Sequence, residues 1–202
     1  MIQKPTLQEA LQAARETRAL VIGRDILHQT ATVFKTEFGG RPAVPVCDET
    51  TFRVAGKTVW AAFQQSGQPC LDPIILRDPD LYAEYRFVEE LEERLKHHNA
   101  IPVAVGSGTI NDLTKLAAHR CERPYMCVAT AASMDGYTAF GASITYLGSK
   151  QTFDCPAPTA VVADIEVIRH APPDMTAAGY ADLLAKITAG ADWIVADALG
   201  VE

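Results

Sequence analysis

Gly106-Ser107-Gly108 closes an apolar run, Ile101-Pro-Val-Ala-Val105. It runs into Thr109-Ile110-Asn111-Asp112, with a helical pattern from Ile110 to about Cys121. Glycines at such a turn let the backbone bend sharply and approach a ligand with no Cβ in the way. The first amides of the following helix are unpaired and carry about half a positive charge, which suits a pyrophosphate. Asp112 falls in the first turn, where a carboxylate favours the helix dipole, and Lys115 follows on the next. A second apolar run, residues 125–129, delivers Thr130-Ala-Ala-Ser133-Met-Asp135-Gly136. Together these read as a phosphate cradle and a polar floor on one sheet edge, where open α/β proteins bind nucleotides. Asn111 replaces the third glycine of G-x-G-x-x-G, and the turn follows the fourth strand. That excludes a Rossmann fingerprint, and the lack of a Gly-Lys-Ser/Thr run excludes a P-loop.

These residues need a scaffold, and the alternation of short apolar runs with amphipathic ones provides it. Helices are expected over residues 6–17, 25–35, 50–65 (closed by Gly67) and 80–98. Strands are expected over 19–22, 42–47, 73–76, 101–105, 125–129 and 159–163, with Asp48 at the end of the second. Strands alternating with helices imply a parallel sheet covered on both faces. Between Gly136 and Cys155 the pattern changes. Tyr137-Thr-Ala-Phe, Ser143-Ile-Thr-Tyr and Gln151-Thr-Phe resemble strands, with Gly141 and Gly148 suggesting a hairpin. Ala171-Pro172-Pro173 marks a boundary between a nucleotide-binding α/β domain, 1–172, and the start of a helical domain, 173–202, whose helix is expected over 176–199.

The 202 residues are 48% hydrophobic and 21% charged, ordinary for a soluble globular chain. A net charge of −7 argues against general nucleic-acid binding. No apolar run is long enough to span a bilayer, and Met1-Ile-Gln-Lys-Pro-Thr lacks the apolar core of a signal peptide. Five cysteines with no C-x-x-C read as buried free thiols in a reducing cytoplasm. His97-His98 suits a helix C-terminus, and His28, His119 and His170 fit no ligand spacing.

The ordered series Gly106-Ser-Gly-Thr-Ile-Asn-Asp-Leu-Thr-Lys115, Ala129-Thr-Ala-Ala-Ser-Met-Asp-Gly136, Ala157-Pro-Thr-Ala-Val-Val-Ala-Asp164, Gly179-Tyr-Ala-Asp-Leu-Leu-Ala-Lys186 and Ala191-Asp-Trp193 resembles the sn-glycerol-1-phosphate dehydrogenase family. That family groups with glycerol dehydrogenases, iron-containing alcohol dehydrogenases and dehydroquinate synthases. The resemblance is specific from Ile101 to about Asp192 and collinear before it. It implies a dehydroquinate synthase-like α/β domain, then an all-helical domain with the active site between them. It also implies hydride transfer between NAD(P) and glycerol 1-phosphate, with dihydroxyacetone phosphate as the other partner. A divalent metal, typically zinc, would bind the substrate oxygen.

Residue by residue, the resemblance puts Gly106, Ser107 and Gly108 against the pyrophosphate, with Asp112 supporting the turn. Thr130 and Ser133 would line the cofactor, and Asp135 would sit beside nicotinamide and substrate. Asp48 matches the position that meets the adenosine ribose. A carboxylate there repels a 2′-phosphate, so NAD is expected over NADP. Asp182 matches the metal-binding aspartate, and Lys186 would contact the substrate phosphate. The bland readings are that Asp48 caps the next helix and that Asp182 and Lys186 form a solvated i,i+4 pair. Tyr180, Leu183, Leu184, Ile187, Ala191 and Ile194 form one apolar stripe. Asp182, Lys186 and Trp193 lie opposite with Ala178 and Ala189, a face expected to be covered and to favour self-association.

The family's metal aspartate is joined by two histidines further along, and this sequence has none after His170. It would supply one ligand of three, as a cofactor domain with an incomplete metal site and little activity alone. The alternatives are a glycerol or other polyol dehydrogenase, or a nucleotide-binding module without catalysis. Asp135 is followed by Gly-Tyr-Thr and not by the Gly-Gly-Lys of a dehydroquinate synthase.

Overall fold

The computed structural model describes residues 6–201; Met1 to Pro5 of the segment read for a signal peptide lie outside them. Six strands form one parallel sheet: β1 (Ala19–Gly23), β2 (Ala43–Asp48), β3 (Ile74–Leu76), β4 (Ile101–Gly106), β5 (Met126–Ala129) and β8 (Ala160–Asp164). Their order is β1-β8-β5-β4-β2-β3. An antiparallel hairpin of β6 (Ala142–Tyr146) and β7 (Ser149–Phe153) stands apart from it. The helices are α1 (Leu7–Ala13), α2 (Thr30–Phe38), α3 (Glu49–Thr51), α4 (Lys57–Ser66), α5 (Tyr85–Lys96), α6 (Gly108–Arg120), α7 (Ile165–Ile168) and α8 (Pro173–Leu199). This is the expected doubly covered α/β architecture.

Alternate side chains of each strand enter two cores. Val44, Val46 and Ala104 pack on one face with Phe87, Leu91 and Leu113 of α5 and α6. Cys47, Ile101, Val103 and Val105 pack on the other with Phe34, Val59 and Phe63 of α2 and α4. Both faces are apolar, which is why the strands read as unbroken hydrophobic runs. The chain winds outward from β2 to β3, returns to β4, then winds the other way through β5 and β8. The direction therefore reverses between β2 and β4, and a crevice opens there beyond their carboxyl ends.

Several boundaries differ from the sequence reading for local reasons. α5 starts at Tyr85, not at residue 80, because the Glu84 side chain accepts the Arg86 N–H and caps it there. Residues 25–35 split into a 3₁₀ turn, Leu27–Gln29, and α2. Gly67 closes α4 in the left-handed conformation at φ 69°, as expected. Tyr137 belongs to a 3₁₀ turn, Gly136–Thr138, and not to a strand. α8 begins at Pro173, the first helical position, where the missing N–H costs nothing.

Candidate nucleotide and substrate site

Gly106 ends β4, and a Cβ there would lie 2.5 Å from the Cβ of Ile110. The glycine is required because the first turn of α6 folds back onto its own strand. Ser107 caps α6 without a side-chain hydrogen bond among the described residues, so its hydroxyl is available. The helix starts two residues earlier than the sequence pattern suggested, and its leading amides open at the crevice. The Thr130 N–H donates to the Gly106 carbonyl at 3.1 Å, which seats the turn after β5 beside the turn after β4.

Asp48 does act as a cap. One carboxylate oxygen accepts the Thr51 N–H at 2.7 Å, and the Thr51 hydroxyl accepts the Asp48 N–H at 3.0 Å. Its other oxygen has no hydrogen-bond partner among the described residues. The capping bond and a ribose contact are therefore compatible.

Three clefts meet at Ser107. The largest, about 770 Å³, is mainly apolar, with Leu27, Val54, Val167 and Met175 around Asp48, Ser107 and Thr130. A second, about 470 Å³, runs from Asp48 and Ser107 towards Leu76 and Arg77. The third, about 620 Å³, is polar and holds Gly108, Ser133, Asp135, Lys115, Lys150 and Asp182. Thus Asp48, Ser107 and Thr130 share one cleft. Ser133, Asp135 and Asp182 share another, and the helix start lies between.

α8 comes closest to the α/β unit around Gly179. At Gly179 a Cβ would come within 2.0 Å of the Ala132 carbonyl oxygen, so only glycine permits the approach. One turn on, the Asp182 carboxylate accepts the Asp135 N–H at 3.0 Å. The Lys186 ammonium lies 3.2 Å from the Asp135 carboxylate and 3.7 Å from that of Asp182. The N–H of Asp135 and the Lys186 charge lower the Asp182 pKa, and the two carboxylates raise that of Lys186. Lys186 is thus neutralised by carboxylates, which leaves it poorly disposed towards a phosphate. The stripe on the other side of α8 is open, with Ile187 72% and Ile194 73% exposed.

The residues around Asp182 do not by themselves hold a metal. Among the described residues no group of three or more His, Cys, Asp or Glu side chains converges. The nearest carboxylate, Asp135, is bridged to Asp182 by an ammonium.

Asp112 departs from the reading made of it. It lies one turn into α6, and its carboxylate is half-buried and turned to the hairpin. It accepts the Ser143 N–H at 3.1 Å and the Asn111 side-chain amide at 3.1 Å. Burial raises its pKa. It supports the site by fixing the hairpin. Asp164 was not singled out as a site residue. It is buried and accepts the N–H groups of Asp25, Ile26, Leu27 and Glu166 at 2.7–3.2 Å. It thereby fixes the wall of the largest cleft. Its place at a strand's carboxyl end, like that of Asp48, was the available signal. The five cysteines are free, and burial pushes the Cys47 and Cys127 thiols up to about 12.

Residues 21–172 match the family described as iron-containing alcohol dehydrogenase, three quarters of the chain. The chain belongs to the iron-containing alcohol dehydrogenase family. It is 37% identical over 161 residues to the glycerol-1-phosphate dehydrogenase [NAD(P)+] of Bacillus subtilis, covering 79% of this chain and 41% of that one. With the enzyme of the same name from Pyrococcus furiosus it shares 33% over 180 residues, covering 89% and 50%. The chain spans about half the length of the curated relatives it matches. Among solved structures, the glycerol dehydrogenase of Schizosaccharomyces pombe superposes with a TM-score of 0.72 at 22% identity, covering 84% of this chain and 42% of that one. At that identity the likeness speaks for the iron-containing alcohol dehydrogenase fold. No described helix is long and apolar enough to cross a membrane.

Proposed function

We propose that this chain forms the cofactor half of an NAD-dependent dehydrogenase acting on a phosphorylated polyol, interconverting dihydroxyacetone phosphate and sn-glycerol 1-phosphate. The observation that carries it is the meeting of an apolar cleft and a polar cleft at the free amides of α6, within a dehydrogenase family. When bound, NAD accepts or returns a hydride at its nicotinamide.

The chain's own residues supply the rest. Gly106, Ser107 and Gly108 present amides and a hydroxyl to the diphosphate. The apolar cleft takes the adenosine, with Asp48 at its mouth to accept a ribose hydroxyl. Asp25, His28, Asp164, Glu166 and His170 also line that cleft, and no Lys or Arg does. Glu166 is paired with Arg24 and Arg169, but a 2′-phosphate would still meet Asp25, Asp48 and Asp164 with no cation lining the cleft, which favours NAD over NADP. Thr130 and Ser133 border the path from the diphosphate to the polar cleft. There Asp135 orients the substrate hydroxyls and helps pass a proton to solvent, while Lys186 holds the Asp135 carboxylate in place. Lys150 lines the same cleft and makes no ion pair among the described residues, so it is better placed than Lys186 to meet a substrate phosphate.

The metal enters this proposal only through Asp182, which would give one oxygen donor to a site completed by groups outside those described. The 1–172 and 173–202 division is part of the same reading, with α8 opening a helical layer. Self-association through the second face of α8, where Trp193 is 70% exposed, and a cytoplasmic setting complete it; sedimentation velocity and cell fractionation test these two.

Fluorescence titration with NADH and NADPH tests the coenzyme reading. NADH should bind at least about tenfold more tightly, equivalent to about 1.4 kcal/mol. Equal or tighter NADPH binding would overturn it. An unphosphorylated polyol turned over as well as glycerol 1-phosphate would favour the glycerol dehydrogenase alternative.

A further inference from the structure

Lys115 is a lysine at 1% exposure in the middle of α6. Its ammonium donates to the carbonyls of Ala139 at 2.9 Å and Gly141 at 2.8 Å, and lies 3.9 Å from the Asp112 carboxylate. That carboxylate in turn accepts the Ser143 N–H. One turn of α6 therefore grips three successive alternate residues, 139, 141 and 143, where the loop after β5 enters the hairpin. A buried charge of this kind is costly unless it is paired and hydrogen-bonded. Here it is satisfied by loop backbone, not by another helix or strand.

The rest of that loop is tied to the same helix start. Thr130 is bonded to Gly106 at its beginning. The Tyr137 hydroxyl donates to the Ala131 carbonyl at 2.7 Å. Met134 lies over Gly108, its sulfur 3.2 Å from where a Cβ would stand. The loop that carries Ser133 and Asp135 is thus spanned between the turn at its start and Lys115 at its end.

We propose that Lys115 is a positioning residue, which sets the height of the Asp135 loop over the phosphate turn and so holds substrate and nucleotide in register. The inference rests on the dehydrogenase reading for its consequence, but not for the clamp itself. α6 is the rigid body common to both: its first residues are proposed to meet the diphosphate, and its second turn holds the loop.

Two measurements on Lys115→Met separate these levels. Amide hydrogen exchange without ligand should show residues 131–141 opening about tenfold faster or more, while β4 and β5 keep their protection. In the intact protein, kcat for reducing dihydroxyacetone phosphate with NADH should fall about tenfold or more, with KM for NADH within about threefold. If the single variant fails to fold, Asp112→Asn/Lys115→Met removes both buried charges together and should give the same pattern. Unchanged exchange in the loop would overturn the clamp. Equal losses in kcat and NADH affinity, or exchange raised throughout the sheet, would reduce Lys115 to a purely structural role. Loop opening as expected in a protein that binds no NADH would leave the clamp standing and sink the dehydrogenase reading instead.

Discussion

Asp48 has one observed duty, the cap, and one proposed, the ribose contact. One oxygen caps α3 and the other is available to a ribose, so substitution should register in two separate assays. Asp48→Ala should lower stability by about 1 kcal/mol through the lost cap. It should also narrow any preference for NADH over NADPH, measured by paired titrations. A loss of stability with an unchanged coenzyme preference would assign Asp48 to the cap alone. The cap could be read from the sequence, a carboxylate at a strand's end with Thr50 and Thr51 nearby, whereas the proposed ribose contact came only from the family resemblance. The role of Asp112 could not be read that way. Its helix position was clear, but its partner, the Ser143 amide, lies 31 residues away on a hairpin whose placement no local pattern specifies. Lys115 was visible only as a charged residue on the next turn, for the same reason.

At the scale of elements, close approach decides which glycines matter. Gly106→Ala would press a methyl into Ile110, where overpacking costs about 1–3 kcal/mol. It should displace the start of α6 and abolish NADH binding, while circular dichroism still shows a folded chain. Binding at the wild-type level would contradict the assigned turn. The α8 contact has its own signature in pH. Asp182 has a lowered folded pKa, so its tie to the Asp135 N–H holds above the ordinary aspartate value of 3.8 and is lost as pH falls through the lower folded value. Lys186 has a raised pKa, so its part persists to above 10.5. Protection of the Asp135 amide, corrected for intrinsic exchange, should therefore stay level between these limits and collapse only in acid. A collapse near neutrality would show that another group governs the contact. Parallel strands and their helices were readable from alternation and turn residues. The 3₁₀ turn at Tyr137 was not, because Tyr-Thr-Ala-Phe satisfies a strand pattern while Tyr137 is held by the Ala131 carbonyl instead.

Across the whole molecule, the two cores and the reversal of winding between β2 and β4 make a rigid platform, and the chemistry is laid out along its carboxyl edge. Asp48 stands on one side of the α6 start and the Asp135 loop on the other, with α8 touching that loop through Gly179, Asp182 and Lys186. The proposed function depends on one point of this geometry, a dinucleotide lying across the leading amides of α6. Backbone amide NMR during NADH titration measures this directly. Saturable shifts are expected at Ser107, Gly108 and Thr109, with smaller ones at Asp48 and Thr130 and none on the far end of α8. Saturation without movement at the α6 start, or shifts confined to α8, would contradict it.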